Sequence, residues 1–384
     1  MRRFLLTSLL VASLLPAAEI REREAFQNRP AVVVANDKIE LTVLPLSGAM
    51  AAITLRQGDS INPLWDAIRN DREQGRPERT AGGTGHFVCV DGFGPVSAEE
   101  AAAGLSGHGE AAKLAWATTA AKSAGGVAEL TQAVTLPRVQ ELYTRTLSLR
   151  DGENVVRVHS TLESLLSFDR PSVWAEHATI GSPFLEPGVT VVDMSANQAL
   201  VRPRDKPVRG RSHRLVGGEE FEWPMAPLQS GGKVDLRAAP VDHDSLDHTG
   251  HLMTKGGPYA WVTAVHPKRG LVLGYLFKTS EYPWLQTWEN YPADGMMARG
   301  LEFGTQAFDL PRRQVITENR LFGELLYRWL PAMAKIETTY LMFWAAVPEG
   351  FSGVSSVELS GGKLTVRDGR SGKTLTLPTR QTLD

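Results

Sequence analysis

Three runs in the first half of the chain, Ala128–Leu136, Gln140–Arg150 and Asn154–Leu162, alternate apolar and polar side chains. A period of two puts successive side chains on opposite faces of a strand. The pair Asp151-Gly152 between the last two runs is a hairpin signal, because a tight two-residue turn needs positive φ. Arg145 and Arg157 stand among apolar neighbours, as in a sheet with one wet face. This stretch commits the middle of the chain to antiparallel sheet.

The rest extends the pattern. Ile39, Leu41 and Val43 alternate with Lys38, Glu40 and Thr42, and Ala49–Leu55 returns after the break at Pro45–Gly48. Val189–Met194, the hairpin Tyr259–Val265 with Leu271–Lys278, Thr338–Val347 and a hairpin-like tail at Val357–Leu377 read as further strands. Helices are few: a turn around Pro63–Arg69, Ala98–Gly104, and Leu321–Met333, where Leu321, Leu325, Leu326 and Trp329 fall at helical spacing. Segments 58–85, 200–232 and 240–257 read as loops, and 36 glycines and 23 prolines supply the turns. No repeat of solenoid or propeller period is present. The expected fold is all-β, a large two-sheet β-sandwich with few short helices, one domain over residues 19–384.

Arg2 and Arg3, the apolar run Phe4–Leu15 and the small residues Pro16-Ala17-Ala18 compose a secretory signal over residues 1–18. The apolar run is too short to span a bilayer, so a periplasmic or secreted protein with no membrane association after cleavage is expected. A net charge of −2 and the lack of a basic run argue against nucleic acid as a partner. The single cysteine, Cys89, rules out an internal disulfide and reads as a small buried hydrophobe. Nothing in the sequence fixes an oligomeric state.

Four places set polar groups into regular strands or glycine loops. Gly107-His108-Gly109-Glu110 holds an imidazole and a carboxylate between glycines, which let backbone approach a ligand closely; a flexible loop with an incidental histidine is the plainer alternative. His177 lies in the apolar run Val173–Ile180, with Ala175 and Thr179 on its face and Glu176 on the other. It is either a core histidine satisfied by one hydrogen bond or a rigidly mounted acid–base group. Val241–His251 packs three histidines and three aspartates into eleven residues, but without the i, i+4 frame of a helical metal motif, and no metal is assigned. Glu302, between Leu301 and Phe303, is either desolvated, with a raised pKa suited to general acid–base work, or paired with Arg299 or Arg312.

Taken in order, these segments resemble the aldose 1-epimerase (galactose mutarotase) family. Gly107–Glu110 followed by Trp116 is similar to the family's first histidine loop, Glu176-His177-Ala178 to its second element, and Asp247-His248 to its Asp-His pair. The run from Gly250 to Asn290 resembles the family's hairpin, with Gln286 and Asn290 at the expected offsets, and Arg299–Gln306 resembles its catalytic-carboxylate strand. The family's Asn-Arg sugar-binding pair is missing, with Gly85–Pro95 in its place, and Ala178–Phe184 replaces its usual aromatics. The resemblance implies interconversion of sugar anomers with Glu302 as base, His177 as acid and His108 steadying the ring oxygen or nearby hydroxyls. It also implies Asp247, Gln286, Glu110 and Trp288 (or Trp284) as sugar contacts, a small-molecule sugar as partner, and no cofactor. Two rivals remain: a catalytically silent carbohydrate-binding protein on the same fold, and a lyase or glycosidase, which needs a second carboxylate across the cleft.

Overall fold

The alternating runs pair as antiparallel neighbours. A computed structural model of the chain describes residues 17–80, 82–203, 211–242, 244–253 and 257–384. Residues 1–16, most of the expected signal, lie outside that set, as does His243. Val127–Leu136, Glu141–Arg150 and Val155–Ser164 form three consecutive strands of an eight-stranded sheet. That sheet runs in the order Val191–Met194, Tyr259–His266, Leu271–Lys278, Lys335–Ala346, then the three strands in reverse, with Ala117–Ala124 at the far edge.

A twelve-stranded sheet faces it. The order begins Glu19–Phe26, Arg29–Ala35, Ile39–Leu44, Ala49–Leu55, His86–Val90 and Trp174–Gly181. It continues through Ala298–Gly300, Trp284–Tyr291, Ser245–Leu252, Gln198–Val201 and Glu220–Glu222, while Glu302–Gly304 pairs with both Trp174–Gly181 and Trp284–Tyr291. Leu41, Ile53, Val88, Ile180 and Phe303 of this sheet pack against Leu130, Leu147, Val158, Leu273 and Tyr340 of the other. This is the expected two-sheet sandwich. A C-terminal meander, Ser356–Ser360, Lys363–Arg367 and Thr374–Pro378, lays Val357, Leu364, Val366 and Leu377 on the outer face of the eight-stranded sheet, against Val265, Val272 and Leu341.

Three expectations are corrected. Leu321–Met333 is not helical: Phe322 and Gly323 have φ of 51° and 85°, a left-handed pair that turns Arg320–Leu321 back onto Glu324–Leu325, and the helix lies earlier, at Arg312–Glu318. Part of the segment read as a loop at 240–257 is the fully buried strand Ser245–Leu252. Arg145 faces the interior, not water; its guanidinium sits 4.7 Å above the Trp116 ring and donates to the Gly48 carbonyl at 2.5 Å.

Candidate active site

Register places the reactive side chains in a row across the outer face of the twelve-stranded sheet. Phe87 pairs with His177, and Gln286 pairs with Glu302. Since Glu176 pairs with Phe303 and Thr179 with Gly300, Glu302 falls opposite His177 in the same register. The row is therefore Phe87, His177, Glu302, Gln286, on four neighbouring strands. It forms part of the wall of a cleft of about 720 Å³, within the ~300–1,000 Å³ usual for small-molecule sites. Alternation sends the intervening residues the other way. Glu176 points into the sandwich, where its carboxylate meets His86 Nε2 at 3.0 Å and accepts from Trp174 Nε1, Tyr282 Oη and Tyr340 Oη.

His177 Nε2 stands 3.2 Å from Glu302 Oε1, and its Nδ1 is 3.0 Å from Thr179 Oγ1. The Phe87 ring stacks on the imidazole with centroids 4.2 Å apart. Gln286 Nε2 donates to Glu302 Oε2 at 2.7 Å, while Gln286 Oε1 accepts from the Asp309 amide at 2.8 Å. The second bond fixes the orientation of the Gln286 amide, so its donor end faces the carboxylate. Burial raises Glu302 to about 8, with the Gln286 hydrogen bond pulling the other way. Burial, helped by the nearby His108, holds His177 well below the usual histidine range. Near neutrality the pair therefore carries one proton, on Glu302. This is the reverse of the placement that a Glu302 base and a His177 acid require, although the two forms differ only in where that proton sits.

Gly300 makes room for this arrangement. A Cβ there would lie 2.2 Å from Glu302 Oε1 and 2.7 Å from its Cδ. Gly300→Ala is accordingly expected to push the carboxylate out of line with His177 and cut turnover about 10²-fold, with the strand pairing intact by circular dichroism. Wild-type turnover in that variant would show that the alignment is unimportant.

His108 lines the same cleft, its ring centroid 5.0 Å from that of His177. Its φ of 62° is left-handed, and the flanking glycines let the loop double back so that His108 N donates to Gly94 O. His108 Nδ1 accepts from Gly94 N at 3.3 Å, which assigns the ring proton to Nε2. Trp288 also lines the cleft, 6.4 Å from the His177 ring, whereas Trp284 is buried with its Nε1 donating to Leu325 O.

Two expected sugar contacts are not brought to the cleft. Asp247 accepts from Arg214 N and Nε at 2.9 and 2.7 Å, on the opposite face of its strand; its neighbour His248 lines the cleft instead. Glu110 accepts from Arg138 N and Val139 N, tying two loops together away from the cleft. Glu302 is not paired with Arg299, which turns to Glu289 at 3.2 Å, nor with Arg312, which lies 3.8 Å from Asp91. In the His/Asp-rich segment His251 is bound to Thr249, and among the described residues no group of three metal-ligating side chains converges; His243 is outside them. Phe87 carried no distinguishing signal in the sequence, since only the register of long-range pairs brings it to the site; His248 stands out in the sequence as half of the Asp247-His248 pair, but Asp247 was the expected sugar contact.

No protein-family model matches the sequence, and no curated protein matches it. Solved structures do. A protein from Klebsiella pneumoniae subsp. pneumoniae, provisionally named an aldose 1-epimerase, is similar with a TM-score of 0.57 at 14% identity, over 86% of this chain and 83% of that one. A galactose mutarotase-like protein from Clostridium acetobutylicum gives 0.56 at 12% identity, over 86% and 99%. A galactose mutarotase related enzyme from Lactobacillus acidophilus gives 0.54 at 10%, over 83% and 99%. The chain thus has the fold of the aldose 1-epimerases and galactose mutarotase-like proteins, at low sequence identity.

Proposed function

We propose that this cleft interconverts the α and β anomers of a sugar by acid–base ring opening. The observation that carries the reading is the His177–Glu302 pair, two buried groups 3.2 Å apart on the wall of a small-molecule cleft, with burial raising the carboxyl to about 8 and holding the imidazole well below the usual range. One member takes the proton of the anomeric hydroxyl while the other gives its proton to the ring oxygen. The C1–O5 bond breaks with its electrons going to O5, leaving an open-chain aldehyde. After rotation about C1–C2 the transfers reverse and the ring closes on the other face, restoring both groups. The Glu302-base and His177-acid assignment needs only that the shared proton cross between them first. On this reading the cleft-lining His108 steadies a sugar oxygen and Trp288 stacks on a ring face. The export segment read from the sequence would put this activity in the periplasm or outside the cell.

Exchange NMR between anomers across a panel of aldoses tests this. The rate should hold level through neutrality and fall as pH rises through about 8, where the pair loses its proton. A rate that climbs through that range would instead mark Glu302 as a lone ionised base. Binding without exchange for every sugar would leave a carbohydrate-binding protein. The two-carboxylate rival gains little support: of the other carboxylates on the wall, Asp309 is paired with Arg202 and Asp294 is exposed.

A further inference from the structure

The cleft extends beyond the reactive row to a rim built from the segment after the helix Ala67–Glu73, and that rim is cationic. Arg76, Arg79 and Lys113 all line it. Asp71 is the only carboxylate that the two arginines contact among the described residues: Arg79 binds it through Nε at 2.6 Å and Nη2 at 2.9 Å, and Arg76 Nη2 reaches it at 3.3 Å. One negative charge is thus shared by two guanidinium groups. The Lys113 side chain is exposed and has no acceptor among the described residues.

The Nη1 end of Arg79 and the Nζ of Lys113 each lie beside one glycine of a single turn. Gly82 and Gly83 have φ of 76° and 65°, and a Cβ on Gly83 would lie 2.8 Å from Arg79 Nη1, while one on Gly82 would lie 2.9 Å from the Ala112 carbonyl oxygen and 3.8 Å from Lys113 Nζ. A side chain on Gly83 would crowd Arg79 Nη1, and one on Gly82 would meet the Ala112 carbonyl before it reached the Lys113 ammonium. Asp294, the exposed carboxylate of the wall, belongs to a different loop, whose Gly295 lies against Gln74. A guanidinium edge presents paired N–H donors that suit an oxyanion, and an ammonium beside it adds a mobile point charge.

We infer that the Gly82–Gly83 turn is a subsite for an anionic substituent, a phosphate monoester or a carboxylate, carried by the sugar whose anomeric centre lies at His177 and Glu302. This rests on the anomer-exchange reading for the position of the reacting ring. The rim selects among sugars and takes no part in the proton transfers.

The test compares glucose, glucose 6-phosphate and glucuronate on the full chain, by anomer-exchange NMR and by calorimetric binding to the Glu302→Gln variant. The anionic sugars should give kcat/KM about tenfold or more above glucose, and the phosphate and carboxylate arms show which oxyanion is preferred. Lys113→Gln, an exposed and fold-neutral change, should raise KM for the anionic sugars about three- to tenfold with kcat unchanged and glucose unaffected. That difference should shrink in 0.5 M salt, which is roughly where screening shortens to a few ångströms. Equal kcat/KM for glucose and the anionic sugars, or an equal effect of Lys113→Gln on all three, overturns the subsite. Lys113-dependent binding of the anionic sugars without exchange of any sugar would keep the subsite and overturn the anomer-exchange reading instead.

Discussion

Glu302→Gln is expected to lower the anomer-exchange rate by about 10²–10⁴-fold and, in the same protein, to stabilise the fold above neutral pH. The first effect is the loss of an acid–base partner on an isosteric side chain. The second follows from linkage. Burial raises Glu302 to about 8 in the folded chain, well above its ordinary value of 4.5. Between those two values the folded state holds a proton that the unfolded state has released, so wild-type stability falls as pH rises through that window. Glutamine has no such proton to lose. The gap between variant and wild type should therefore open from about pH 4.5 and level off above about pH 8, reaching a few kcal/mol. Urea titrations at pH 5, 7 and 9 measure it. A variant that loses activity with no such pH-dependent gain would show Glu302 ionised in the folded protein.

Arg170→Met is expected to act in the opposite direction. Arg170 pairs with both Asp91 and Glu141, whose carboxylates are fully buried. Burial, and then the Asp91 charge, push Glu141 up to about 10. Burial alone would raise Asp91 too, but Arg312 and Arg170 hold it below the usual range. Removing the guanidinium leaves the buried Asp91 with only the more distant Arg312 as counter-charge, at a cost of about 3–5 kcal/mol. Part of that cost should be recovered as pH falls, because without Arg170 the buried Asp91 takes up a proton at a higher pH in the folded variant than in the wild type. Asp91 also accepts from Ser172 Oγ at 2.9 Å and Val173 N at 3.0 Å, at the foot of the strand that carries His177. Unfolding and loss of activity should therefore both come at a lower urea concentration in Arg170→Met than in the wild type. Coincidence of the variant's unfolding midpoint with the wild type would show that the cluster contributes nothing net.

Much of the reactive row was legible in the sequence because a polar side chain inside an apolar strand stands out against a period of two. His177 and Glu302 stand out that way, His108 is flagged by its glycines, and Gln286 came only from the family resemblance. The same logic failed at Asp247-His248. Consecutive residues on a strand cannot face one cleft, and reading the segment as a loop concealed which of the two would. Glu110, beside the glycine loop, looked like a ligand, but its carboxylate satisfies two loop amides. The helical spacing in Leu321–Met333 was overridden by two left-handed residues, and Arg145 by a tryptophan face ready to cover its charge. Phe87 and the rim cations were out of reach, since sequence spacing carries no information about which distant strands become neighbours.

Glu176 and His177 are consecutive, yet one belongs to the sandwich interior and the other to the cleft. A single inserted or deleted residue in that strand would exchange their places and damage both regions together. Its length is therefore under double constraint. The segments bearing Arg79 and Lys113 lie outside the paired strands and face no such penalty. Those segments can be lengthened, traded or recharged without disturbing the register that sets His177 opposite Glu302.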